Sequence, residues 1–356
     1  MKLTTRAARR IAAAAITCTA ILLPAAALAS VGHPAAAAGA PASRARPARP
    51  VTAYVVNFGS DTVTPIRTAT NTALKAIKVG SSPDAIAITP NGKTAYVANC
   101  CTQRAAGTTV TPIRTATNTP GTAITVTSGP SGIAITPNGK TAYVISSGDA
   151  AVTPIRTATN TPQKAINLGN PSAAIAITPN GQTAYLVSES PTSEFPDTVT
   201  PIRTATNTPG KAIKVGKDPQ YIAITPNGKT AYVANTGSRT VTPINTATNK
   251  TGNAIKVGKD PQYIAITPNG KTVYVANYGS FGSGDTVTPI RVATNTAGQA
   301  IKVGSGPSDI AITPNGKTAY VADSGSDTVT PIDTATNTAG KAIKVGSGPS
   351  DIAITP

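Results

Sequence analysis

The chain has 356 residues, of which 31 are Lys or Arg and 14 are Asp or Glu, a formal net charge of +17, with three cysteines, one histidine and no tryptophan. The lone histidine, His33, precedes the repeated part of the chain, so imidazole-based haem, copper and general-base chemistry is excluded there. The absence of tryptophan removes tryptophan-derived cofactors, and the basic balance favours anionic partners over cationic ones.

Residues 1–29 read as a secretory signal: Lys2, Arg6, Arg9 and Arg10 precede an apolar run at 11–23, and Ala27-Leu28-Ala29 fits a cleavage site. Residues 30–50, rich in Ala, Pro and Arg, read as a disordered linker. These features predict a secreted or extracytoplasmic, envelope-associated protein with no transmembrane span in its mature form. Once Cys18 leaves with the signal, Cys100 and Cys101 remain. They cannot staple distant strands; a vicinal disulfide that stiffens its loop is preferred over pairing with another molecule or idle surface thiols.

From residue 51 onward the chain repeats. Ile-Ala-Ile-Thr-Pro begins at Ile86, Ile133, Ile175, Ile222, Ile264, Ile310 and Ile352. Six copies are followed by an Asn-Gly turn, then a Thr-Ala-Tyr-Val type run, then Val-Thr-Pro-Ile or a close variant, then a run such as Ala-Ile-Lys-Val. The tyrosines of the second run are spaced 42, 47, 42, 47, 42 and 46 residues apart. Short β-branched runs bounded by Pro, Asn and Gly read as strands, and four strands per unit read as blades.

The predicted fold is therefore all-β, a seven-bladed β-propeller over 51–356 with four-stranded antiparallel blades. In the first complete unit, strand A begins at Ile86, B at Thr94, C at Val110 and D at Ala123. Asn91-Gly92 is expected to supply positive φ angles for the A–B hairpin, and Asn118 a left-handed residue ending the C–D turn. Repeated lysines place D at the outer rim. The seventh blade takes its innermost strand from 351–356 and its other three from 52–79, which closes the ring.

Tyr232-Val-Ala-Asn followed by Val241-Thr-Pro-Ile-Asn-Thr-Ala-Thr-Asn249 resembles the YVTN-family β-propeller repeat of bacterial and archaeal surface and periplasmic proteins. The resemblance covers the chain after residue 50 and implies the propeller fold; the family lends that fold to many roles. Where the family usually has Asp at the end of strand C, this chain has Arg67, Arg114, Arg156, Arg203 and Arg291, keeping Asp333 and using Asn245 once.

Two faces result. The A–B and C–D turns share one end of the blades, where the five arginines and the turn lysines make a basic ring able to hold a polyanion; a merely solvated, charged surface is the alternative. Without turn aromatics to stack bases, nucleic acid is disfavoured. The opposite face, built from D–A and B–C loops, carries the length variation at 100–108, 189–197 and 278–285. The residue before each Ile-Ala-Ile is expected at the channel rim there and breaks the sevenfold symmetry: Tyr221 and Tyr263, next to Gln220 and Gln262, then Asp309 and Asp351, joined by Asp61, Asp323 and Asp327. That surface suits a sugar or peptide ligand with cationic character. The expectation is a monomeric, non-enzymatic binding or scaffold propeller, with a protein, glycan or cell-wall polymer as partner, no cofactor, no catalytic residue and no metal; the alternatives are a lactonase- or oxidoreductase-type propeller enzyme and a polyanion-binding protein.

Overall fold

A computed structural model describes residues 51–101, 106–167, 172–188, 197–206 and 208–355; the signal and linker expected over 1–50 lie outside the described residues. Seven sheets form seven blades, and apart from the 3-10 turns Phe58–Ser60 and Ser280–Gly282 the described chain is strand, turn and loop. Blade 1 comprises strand A at Pro83–Ile88, B at Thr94–Cys101, C at Ala106–Arg114 and D as two pieces, Thr119–Pro120 and Ile124–Thr125. Blades 2 to 6 repeat this order from Pro130, Ser172, Pro219, Pro261 and Pro307. Blade 7 joins Pro349–Ile354 to Thr52–Asn57, so its sheet contains strands from both ends of the described chain.

Strand D breaks in two because of the proline in strand C. Within a strand the N–H and C=O of one residue point to the same side, so a proline facing D offers a carbonyl but no donor. In blade 1 the Pro112 carbonyl accepts Gly121 N–H at 2.7 Å, and D leaves the ladder there. The same bond recurs at Pro65, Pro154, Pro201, Pro243, Pro289 and Pro331.

The A–B hairpin differs from the expected turn. Gly92 takes φ 66°, whereas Asn91 does not reach positive φ. Instead Asn91 Oδ1 accepts the Thr89 hydroxyl at 2.8 Å and Lys93 N–H at 3.0 Å, while Gly92 N–H reaches Thr89 O at 2.7 Å. Pro90 pre-sets the turn, the carboxamide organises it and the glycine supplies the left-handed step. The C–D turns behave as expected, with Asn118 at φ 54°. Thr115 N–H donates to Lys93 O at 3.1 Å, so both turn types do lie at one end.

Strands A and B are buried on both faces because the blades stack face to face, which explains their nearly continuous apolar runs. Tyr96 and Ala98 enter one interblade core, whereas Ala95 and Val97 enter the next. The seam of blade 7 repeats the hairpin ladder without a covalent turn: Thr355 N–H donates to Thr52 O at 2.9 Å and Thr52 N–H to Thr355 Oγ1 at 2.8 Å.

Candidate functional site

The residue before each Ile-Ala-Ile lies inside strand A, because the strand starts three residues earlier than the repeated isoleucine. A β-bulge comes after the opening residue in all seven blades, as between Pro307 and Asp309, and the extra residue re-aims the side chains beyond it. Gln220, Gln262, Ser308 and Ser350 occupy the bulge, and Tyr221, Tyr263, Asp309 and Asp351 come directly after it. These last four are buried, at 1, 3, 0 and 0% exposure respectively, so the open rim expected for them is corrected to buried positions within strand A. Gln220 is buried and Gln262 is half-buried.

The carboxyl pair is held by the inner edge of the propeller. Strand A has no neighbour on its channel side, so its N–H groups need another acceptor. Asp309 accepts Ile310 N–H at 2.5 Å on Oδ1 and Ile352 N–H, one blade on, at 2.6 Å on Oδ2. Asp351 accepts Ile352 N–H at 2.7 Å on Oδ1 and Ile86 N–H of blade 1 at 2.7 Å on Oδ2. The two carboxyls also hydrogen-bond each other.

Burial, then the neighbouring charge of Asp351 and their mutual hydrogen bond, push Asp309 well above the carboxylate range, although the N–H groups of Ile352 and Ile310 pull the other way. Burial pushes Asp351 up to about 6, against the lowering effect of Asp309 and the N–H groups of Ile86 and Ile352. Each carboxyl therefore resists ionising in the buried site, and the two titrate as a coupled pair. Beside it, Tyr221 and Tyr263 stack with ring centroids 3.8 Å apart and planes 27° apart. The Tyr263 hydroxyl is pushed well up by burial, with Asp309, Tyr221 and Asp351 adding to the effect, and so remains a donor.

A channel cavity of about 70 Å³ is walled by these tyrosines, by Ile310 and Ile352, and by Pro179, Pro226 and Pro268. Those prolines belong to A–B turns, so the cavity lies toward the basic turn face, and the tyrosines close its inner end. The other predicted carboxylates serve their own loops: Asp61 Oδ1 accepts Ser82 N–H at 2.7 Å, Asp327 Oδ1 accepts Gly348 N–H at 2.7 Å, and Asp323 Oδ2 accepts the Thr330 hydroxyl at 2.6 Å. Cys100 is buried, and the side chain of Cys101, needed for the expected bridge, lies outside the described residues, as does most of the 189–197 loop. The five arginines are exposed at the turn face.

A family model described as "Lactonase, 7-bladed beta-propeller" matches residues 198–296, a segment that contains both channel tyrosines. Among solved structures, the periplasmic gluconolactonase PpgL of Pseudomonas aeruginosa is 16% identical, with 86% of this chain and 99% of that chain covered and a TM-score of 0.70. A protein of Bacteroides uniformis provisionally described as a 6-phosphogluconolactonase is 16% identical over 86% of this chain and 99% of its own, with a TM-score of 0.71. Hydrazine synthase of Kuenenia stuttgartiensis is 24% identical over 80% of this chain and 92% of its own, with a TM-score of 0.71. No curated protein matches the chain. The structural likenesses establish the fold. The match of the lactonase model over 198–296 overturns the expectation of a non-enzymatic binding scaffold.

Proposed function

We propose that the protein is a lactone hydrolase whose chemistry is carried by the Asp309–Asp351 pair at the inner end of the channel. The observation that carries this reading, beside the family match over 198–296, is a buried, mutually coupled carboxyl pair, each member directly preceding an isoleucine, Ile310 or Ile352, that walls a cavity. Ring opening of a lactone needs a base to take a proton from the attacking water and an acid to protonate the departing ring oxygen. Asp351, as carboxylate, takes the water proton while the water oxygen bonds to the carbonyl carbon. Asp309 gives its proton to the ring oxygen as the C–O bond breaks, and the product is a hydroxy acid. The proton gained by Asp351 then passes to Asp309 through their hydrogen bond, which restores the pair. Tyr263 offers a hydroxyl to the carbonyl oxygen as negative charge develops there.

The cavity of about 70 Å³ beside the tyrosines holds a few waters or the carbonyl end of a small ring, which fits a small lactone and excludes a polymer there. Proton release from γ- and δ-lactones tests the reading. Wild type should turn over at least one of them, and Asp351→Asn should lose activity by about 100-fold or more. A wild type inert toward both ring sizes, or an Asp351→Asn variant as active as wild type, would remove the proposal. The YVTN kinship and an extracytoplasmic location belong to the same reading; they are supported by the repeat Tyr232-Val-Ala-Asn and by the basic, apolar and small-residue pattern of 1–29.

A further inference from the structure

We infer that blades 7, 1, 2 and 3 present an arginine arc that binds an acidic polysaccharide, independently of the channel chemistry. Strand C ends in Arg67, Arg114, Arg156 and Arg203 in these four consecutive blades, then in Asn245, Arg291 and Asp333 in blades 4, 5 and 6. The arginines thus form an arc, on a face whose A–B turns carry exposed lysines, Lys93, Lys140, Lys229, Lys271 and Lys317, in blades 1, 2, 4, 5 and 6. All four side chains are exposed, and the one ion pair among the described residues joins Lys302 to Asp285 elsewhere. Lys93 and Lys140 directly precede the threonines that face Arg114 and Arg156 in the ladder, which adds charge to the arc. Among the described residues, Asp333 is the acidic side chain of the A–B and C–D turns; the others lie in strand A, at the end of strand B, or in the opposite loops. The molecule is accordingly polarised along its channel axis.

The arginines are present at a cost to their own turns. In blades 4 and 6, Asn245 Oδ1 and Asp333 Oδ1 each accept two backbone N–H groups at 2.9–3.0 Å, and the turn closes with an i to i+4 bond of 2.8 Å. Arginine cannot accept, and the five arginine turns instead close with an i to i+3 bond of 3.3–3.4 Å. A side chain that weakens its turn and meets no internal anion is accounted for by an external one.

The occupant's chemistry can be read from the surroundings. The turns Arg-Thr-Ala-Thr-Asn-Thr present hydroxyls and amides without an aromatic platform, which disfavours stacked bases, and without exposed large apolar side chains, which disfavours insertion into a membrane. Guanidinium groups on a rigid hydroxyl-rich surface match the carboxylates of a hydroxylated chain.

The test uses the full chain and labelled polygalacturonate in an affinity measurement at low and rising salt. Wild type should bind, and the quadruple variant Arg67→Gln, Arg114→Gln, Arg156→Gln, Arg203→Gln should bind about tenfold or more weakly with a shallower salt dependence, at an unchanged melting profile. A control removing four rim lysines, Lys211, Lys214, Lys341 and Lys344, all to Gln, should keep most of the affinity. Absence of binding by wild type, equal losses in both variants, or tighter binding of single-stranded DNA or phosphatidylglycerol vesicles than of polygalacturonate would each overturn the inference. Lactone turnover unchanged in the quadruple variant would confirm that the arc and the channel act separately.

Discussion

The hydroxyl of Tyr320 donates to Asn71 Oδ1 at 2.5 Å although 249 residues separate them in the chain. The same bond joins Tyr54 to Asn118, Tyr96 to Asn160, Tyr185 to Asn249, Tyr232 to Asn295 and Tyr274 to Asn337, at 2.5–2.9 Å. Six tyrosines of strand B thus reach the C–D turn of the next blade, and each meets an asparagine whose left-handed backbone turns the carboxamide inward. The seam between blades 6 and 7 uses the device that joins blades adjacent in sequence.

Tyr320→Phe should therefore cost about 1–1.5 kcal/mol, the worth of a partly buried hydrogen bond, and Tyr232→Phe should cost the same. Urea denaturation followed by circular dichroism measures both. A Tyr320→Phe variant as stable as wild type, beside a destabilised Tyr232→Phe, would mean that the seam is not closed as described.

Much of the fold was legible because the repeat exposes each strand seven times over, and Pro, Asn and Gly punctuate it. The split of strand D was hidden although its cause, the proline of Val-Thr-Pro-Ile, stood in plain sight: the effect depends on which way the missing donor faces, and that needs the register. The channel residues were found by their asymmetry, since Tyr221, Tyr263, Asp309 and Asp351 occupy one repeat position. Their burial was not legible, because a β-bulge leaves no local signature in Pro-Gln-Tyr or Pro-Ser-Asp. The interblade clasp escaped for a related reason, since Tyr and Asn of one repeat look like neighbours when their partners belong to different blades.

Arg156→Asn should stabilise the protein by about 0.5–1 kcal/mol, because an asparagine there can accept the two turn N–H groups that Asn245 already accepts in blade 4. Thermal melting of the single variant against wild type measures it. The opposite exchange, Asn245→Arg, should lower the melting temperature, and a pair of shifts with the reverse signs would show that the turn geometry is set by something other than that side chain.

Asp323 predicts a pH effect. Asn57, Asn235 and Asn277 end strand B in blades 7, 4 and 5, Asn99 holds the same repeat position in blade 1, and each donates Nδ2–H to threonine hydroxyls, as in the 2.8 Å bond from Asn57 to Thr64. In blade 6 the polarity reverses and the Thr330 hydroxyl donates to Asp323. Burial raises Asp323 from 3.8 to about 7, more than the hydrogen bonds of Thr330, Thr328 and Gly304 lower it. The folded protein then holds a proton that the unfolded chain has released. The associated stability is complete below the ordinary carboxylate value and is lost as pH rises through about 7. Asp323→Asn should add stability on the order of 3 kcal/mol at about pH 8 and much less at about pH 4. Denaturant titrations at the two pH values test this, and a gain independent of pH would assign the effect to packing.

The catalytic reading makes its sharpest prediction in the pH dependence of lactone turnover. Asp351 works as a base only when ionised, and its value near 6 sets the acid limb, so kcat/KM should rise as pH passes through about 6. Asp309 works as an acid only while it keeps its proton, which burial and the charge of Asp351 extend well beyond the usual carboxylate range, so an alkaline limb should appear at higher pH. The two limbs belong to the pair, since each carboxyl feels the other's charge. Asp309→Asn preserves a hydrogen-bond donor but has no acidic proton to give, and it should abolish the alkaline limb while lowering kcat more than it raises KM. Tyr263→Phe removes a hydroxyl without removing a titrating acid or base, so it should lower kcat by about 10-fold to 100-fold and leave both limbs in place. Initial rates across about pH 5 to 9 with one lactone decide the matter. A profile without an acid limb, or an alkaline limb that survives in Asp309→Asn, would place the proton transfers on other groups and leave the carboxyl pair as the clamp that ties the inner edges of blades 6, 7 and 1.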